Sequence, residues 1–170
     1  MIKLEKLISD KIEELLNTSI KKEYESAHIY YGMAMWLNKI GFDNGHKLFI
    51  KYGDEELTHA HKLEEYIDNR NGTAVIPVVI KPKQEFSECS DILKEAYDHE
   101  VAVENNYKAV SVAALREGDI TTFNQMQWFV NEQVEEIEKL LTLINIYNIN
   151  DGNPNVREIL EKEFKRRLKD

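Results

Sequence analysis

Four stretches of this chain repeat apolar residues every three or four positions, and each repeat is interrupted near its middle by residues that do not belong in a hydrocarbon core. In the first stretch Leu16 and Ile20 lead to Glu23, then Ala27, Tyr30, Ala34 and Leu37 follow. The second runs Phe49, Tyr52, Glu56, His59, Leu63, Tyr66. The third runs Leu93, Ala96, Glu100, Val103, Tyr107, Val110, Ala114, and the fourth Met126, Phe129, Gln133, Glu136, Leu140, Leu143, Tyr147. A period of three and four places these residues along one face of a helix, which in a bundle is the face that meets the other helices.

Breakers bound the stretches. Gly41 and Gly45 flank Asn44, Gly72 follows Arg70-Asn71, and Gly118-Asp119 and Gly152-Asn153-Pro154 come later. The spacing predicts helices over about 4–40, 44–71, 89–117, 119–148 and a short fifth over about 154–168. Gly72 and Gly118 suit left-handed positions just past helix ends. Asn153 and Pro154 suit an N-cap followed by a first-turn proline. The first and second helices are joined by a short turn, as are the third and fourth, so each pair is antiparallel. Between the second and third lies a non-periodic stretch, 72–88, containing Thr73-Ala74-Val75-Ile76-Pro77-Val78-Val79-Ile80. A lone strand would have no partner, so an extended connection is expected. Helices of about 28 residues are roughly 42 Å long, and this connection is long enough to run that length.

Composition agrees with one helix-rich domain over 1–170: 42% of residues are hydrophobic and 31% charged, with only 7 Gly and 3 Pro. The formal net charge of −9 comes with no basic stripe, which argues against a nucleic-acid partner. No stretch approaches 18 apolar residues, so no spanning helix and no membrane role is expected. Cys89 is the only cysteine, which excludes an intramolecular disulfide and a thiolate metal cluster. The start, Met1-Ile2-Lys3-Leu4-Glu5-Lys6-Leu7, lacks the apolar run of a signal peptide. A reducing, cytoplasmic setting is the expectation.

The interrupting residues carry the chemistry. Glu23, Glu56, Glu100 and Glu136 meet at one depth of the bundle, where unpaired carboxylates each cost several kcal/mol on the order of known ion burial and repel one another. No Lys or Arg occupies the stripes. Two divalent cations would balance four carboxylates, and oxygen ligands with one imidazole suit iron or manganese better than zinc. A polar residue at a core position can instead fix helix register, but that accounts poorly for six such residues on four helices. Di-iron carboxylate bundles take one Glu from each of two helices and Glu-x-x-His from each of the other two. Here Gln133-x-x-Glu136 stands in place of the second Glu-x-x-His. The second metal gains no imidazole and is held more weakly, which suits iron in transit.

At these residues the chain resembles the non-haem bacterial ferritins. The matching pieces are Glu23-Tyr24-Glu25-Ser26-Ala27 leading to Tyr30, Glu55-Glu56-Leu57-Thr58-His59, His99-Glu100, and Gln127 to Glu136. The resemblance implies an all-α, ferritin-like four-helix bundle with one long crossover and a short fifth C-terminal helix. It implies a first iron position of Glu23, Glu56 and His59, and a second of Glu56, Glu100 and Glu136 with Gln133 beside it. A third would use Glu55, Glu132 and Glu135. Tyr30 matches a tyrosine with a role in electron supply, and Trp128 a nearby tryptophan. The implied activity is oxidation of Fe²⁺ by O₂ or H₂O₂ at a di-iron centre, with Fe³⁺ stored in a homo-oligomeric shell of 24 subunits whose fifth helix lines the fourfold axes. Leu57 stands where bacterioferritins carry a haem-binding Met, so no haem is expected. The acidic iron-entry pair of vertebrate ferritins would fall at Phe123 and Met126. Two other functions compete. A rubrerythrin-like di-iron peroxidase or oxygenase would want two tightly held metals and often a rubredoxin-like cysteine cluster. A non-catalytic helical interaction module would not place carboxylates mid-core on every helix.

Overall fold

The computed structural model describes residues 4–169 and contains five helices: α1 (Asp10–Lys39), α2 (Asp43–Asn69), α3 (Cys89–Glu117), α4 (Ile120–Ile149) and α5 (Val156–Arg167). No strand occurs among the described residues. None of the helices among those residues is long and apolar enough to cross a membrane. Residues 1–3, which open the charged N-terminal stretch, lie outside the described residues.

Side-chain pairs fix the directions. Tyr24 donates to Glu64 and Tyr31 to Asp54, so α1 and α2 are antiparallel. Ser19 bonds Asn106 and Ser26 bonds His99, so α1 and α3 are antiparallel too. The helices α2 and α3 therefore run parallel, which requires a connection spanning the bundle. Residues 71–88 supply it without regular structure. The crossover is tied to α1 along its length: the Asn17 amide donates to the Thr73 carbonyl at 3.0 Å and accepts from the Val75 N–H at 2.8 Å, and Lys39 pairs with Glu85 at 2.9 Å. This is the expected extended connection and the expected all-α bundle with one long crossover.

Gly32 makes the close approach possible. A Cβ there would stand 2.4 Å from the Lys83 carbonyl oxygen and 3.1 Å from Pro82 Cβ. Gly32→Ala gains up to about 1 kcal/mol of helix propensity but forces backbone apart, at a cost of about 1–3 kcal/mol. A lower melting temperature is expected; an unchanged or higher one would show that the crossover does not lie against α1.

The helix ends differ from the sequence reading at three places. The first helix starts at Asp10, not near residue 4, because Ser9 accepts the Ile12 N–H at 3.1 Å as N-cap. Residues 4–9 instead close over the end of α2, where the Leu7 N–H donates to the Arg70 carbonyl at 2.9 Å and the Asn71 amide to the Leu4 carbonyl. The left-handed residue after α2 is Asn71 (φ 55), with Gly72 following it; Gly118 (φ 72) takes the expected role after α3. The N-cap of α5 is Asn155, and Asn153 accepts the Asn155 N–H at 2.9 Å in the turn before it.

The short α5 packs Leu160 and Phe164 onto α2 beside Phe42 and Phe49. Phe42, the N-cap of α2, offers no capping side chain. Glu161 of α5 does so instead, accepting the Asn44 and Gly45 N–H groups at 3.0 and 3.1 Å. A carboxylate there also meets the positive end of the helix dipole.

Candidate metal centre

The buried apolar residues form two clusters. One holds Tyr30, Leu37, Phe49, Tyr52, Ala96 and Leu140; the other holds Ile20, Leu63, Val103, Tyr107 and Phe129. Along every long helix the boundary between them falls on the interrupting residues. Glu23 and Glu100 are 0% exposed, Glu56 and Gln133 3%, Glu136 5% and His59 7%. The stripes of all four helices thus bring their polar groups into one belt across the bundle.

Glu23, Glu56 and His59 form a tight group whose ligand atoms lie within 4.8 Å of one another. His59 Nδ1 is 3.3 Å from Glu56 Oε2 and 3.6 Å from Glu23 Oε2. Glu23 Oε2 is buried with no hydrogen-bond partner. A buried, orphaned carboxylate oxygen is costly, and a cation held between these three side chains would satisfy it. The other Glu23 oxygen accepts from the Tyr107 hydroxyl. Burial and the neighbouring Glu23 hold the Tyr107 pKa well above its ordinary value, so it stays a donor. On the outer side, the Trp128 ring meets His59 edge-on at 5.6 Å, and Lys62 Nζ stands 3.5 Å over that indole.

Glu100 faces the same belt from α3. The Tyr30 hydroxyl donates to its Oε1 at 2.5 Å, and the Gln133 amide donates to its Oε2 and its carbonyl. Burial pushes the Glu100 pKa up to about 7, although the Tyr30 and Gln133 hydrogen bonds pull against it. Burial also drives the Glu56 pKa well up, helped by the charges of Glu100 and Glu23. For His59, burial lowers the pKa, but the neighbouring Glu23 carboxylate outweighs it and leaves the imidazole pKa raised. Burial raises the two carboxyl pKa values, and the negative charge crowded into the belt adds to the Glu56 rise and raises that of His59. Divalent cations would relieve that crowding.

Glu136 is arranged differently. Its Oε1 pairs with Lys139 Nζ at 2.7 Å. The stripes themselves carry no cation, yet Lys139, one turn along α4, reaches back to one of their carboxylates. Burial raises the Glu136 pKa and Lys139 opposes that rise. Glu55 and Glu135 line a cavity of about 300 Å³ together with Lys51, Tyr52, Lys139, Arg166 and Arg167. Glu55 Oε2 lies 3.9 Å from Lys139 Nζ. Glu135 is exposed and Glu132 half-buried. Among the described residues, Glu23, Glu56 and His59 are the group drawn close enough for a shared cation; Glu55, Glu132 and Glu135 are not.

Sequence reasoning missed Tyr107 and Lys139. Tyr107 reads as an apolar core residue, and its one signal is a position two turns beyond Glu100 on the same stripe. Lys139 reads as solvated, and its one signal is the i, i+3 spacing from Glu136.

Comparison with known proteins agrees with the geometry. Residues 13–149 match the family model of the ferritin-like domain. The chain is 30% identical over 158 residues to a bacterial non-heme ferritin of Staphylococcus aureus, covering 93% of this chain and 95% of that one. It is 30% identical over 138 residues to a probable bacterial non-heme ferritin-like protein of Haemophilus influenzae, covering 81% and 83%. Its backbone is similar to that of an open-pore ferritin from the hyperthermophilic archaeon Archaeoglobus fulgidus, with a TM-score of 0.91 at 30% identity over 94% of this chain and 98% of that one.

Proposed function

The chain belongs to the ferritin family, and on that premise we propose that it stores iron, oxidising Fe²⁺ at a di-iron centre inside each subunit. The observation that carries this reading is the belt of four buried carboxylates and one imidazole, with an orphaned Glu23 oxygen beside Glu56 and His59. Glu23, Glu56 and His59 would take the first Fe²⁺. Glu56, Glu100 and Glu136 would take the second, with Gln133 orienting Glu100. Each Fe²⁺ gives up one electron, so a pair supplies the two electrons that reduce O₂ or H₂O₂. Tyr30, hydrogen-bonded to Glu100 and buried, is placed to supply a further electron or proton. Glu55, Glu132 and Glu135 would bind Fe³⁺ on its way to the store.

We read the chain as a single domain that assembles into a homo-oligomeric shell of 24 subunits in the cytoplasm. Val75, Ile76, Val78 and Ile80 on the crossover are 54–89% exposed in the single chain, and apolar residues exposed in such density support a subunit contact there. Leu57 leaves haem without its methionine ligand.

Aerobic addition of Fe²⁺ to the purified assembly tests the reading. Retention of hundreds of irons per assembly is expected. Retention of only two per chain would favour a di-iron peroxidase or oxygenase, and no oxidation above buffer would leave a helical interaction module.

A further inference from the structure

Lys139 lies between two of the carboxylates to which the preceding reading assigns different irons. Its Nζ is 2.7 Å from Glu136 Oε1, a ligand of the second position, and 3.9 Å from Glu55 Oε2, a ligand of the third. Glu55 Oε2 is buried and has no hydrogen-bond partner. The Glu136 side chain is 6% exposed and that of Lys139 33%. The ammonium thus sits at the border between the polar belt and the 300 Å³ cavity at the end of α5. A cation that engages Glu136 through Oε1 competes with the ammonium for that oxygen, and the flexible lysine stem lets the ammonium swing into that cavity and back.

We propose that Lys139 is a built-in competitor for the second metal position, a positioning residue that weakens the hold of Glu136 on a divalent cation and favours its passage toward Glu55. This rests on the di-iron reading. It adds a cause of asymmetry beyond the missing imidazole: among the described residues Lys139 pairs with Glu136 of the second position, while no Lys or Arg pairs with Glu23 or Glu56 of the first. The ammonium's charge at contact distance opposes a second cation on Glu136, because like charges a few ångströms apart in a half-buried site are poorly screened.

Anaerobic titration with Co²⁺, whose visible absorption reports its ligand geometry and which does not turn over, separates the possibilities. The parent assembly should bind one Co²⁺ per chain tightly and a second more weakly. In Lys139→Gln the second should tighten by at least about tenfold while the first is unchanged. Lys139→Arg keeps the charge and should behave as the parent, and Lys51→Gln, on the same cavity wall, should not reproduce the effect. A second site unchanged or weakened in Lys139→Gln overturns the inference and leaves the di-iron reading standing. A parent that binds no Co²⁺ overturns both.

Discussion

Glu56→Ala is expected to cut the initial rate of aerobic Fe²⁺ oxidation on the order of a hundredfold, the scale seen when a group that acts on the reacting centre is removed. On the proposed reading Glu56 is the carboxylate that serves both metals. It lies 3.3 Å from His59 on the first side, and of the charges that act on it that of Glu100, on the second side, is the largest. Without it the first position keeps Glu23 and His59 and the second keeps Glu100 and Glu136, but nothing holds the two irons at a common distance for paired electron transfer. Folding should survive. The substitution removes buried side-chain volume, which costs stability, and also removes a crowded buried carboxylate, which returns some of it. The appearance of ferric absorbance after mixing measures the rate, and the melting temperature of the metal-free protein checks the fold. A Glu132→Ala variant, altered away from the tight group, should keep most of the fast phase. An unchanged rate in Glu56→Ala would refute the site.

The bundle was legible because two separate patterns agree. The period of three and four marks the buried faces, and the polar interruptions mark one common depth on those faces. Glu23, Glu56, His59, Glu100, Gln133 and Glu136 all stand on their stripes, so the buried belt follows from spacing alone. What spacing cannot show is how far a side chain reaches. Tyr107 belongs to α3, yet its hydroxyl serves Glu23 on α1. Lys139 lies off its stripe, yet a four-carbon stem carries its charge to Glu136 and toward Glu55 on α2. The third set of carboxylates shows the same limit from the other side. Glu55, Glu132 and Glu135 follow from resemblance, and Glu55 lies 3.9 Å from Lys139 of a different helix, a pairing that no pattern within one helix selects. Local chemistry likewise decided the start of α1. Apolar residues continue up to Ile8, but Ser9 caps the helix, and the residues before it are held by the end of α2.

Stability of the metal-free protein should fall as pH rises from about 4.5 to about 7, and divalent cations should reverse that trend. The carboxyl of Glu100 has a folded-state pKa of about 7 against an ordinary 4.5. A raised carboxyl pKa means that the folded protein binds the proton more tightly than the unfolded chain. Its contribution is therefore fully present below pH 4.5, declines as the unfolded chain ionises, and is gone once pH passes the folded-state value. The separation corresponds to a loss of about 3 kcal/mol at most, and Glu100 is fully buried, so solvent does little to reduce it. Glu56 shifts in the same direction and adds to the slope. Metal ligation needs the ionised carboxylates, so it competes with the same protons and strengthens as they leave. Thermal denaturation across pH 5 to 8 should show the metal-free assembly losing stability while the assembly with Zn²⁺ or Mn²⁺ gains, the two profiles diverging most above pH 7. Glu100→Gln cannot ionise. It should flatten much of the metal-free slope and also shrink the gain from metal, because the same side chain that repels its neighbours in the empty belt is the one that would hold the second cation. A variant that lost the slope but kept the full metal gain would separate these two roles and place the second cation away from Glu100.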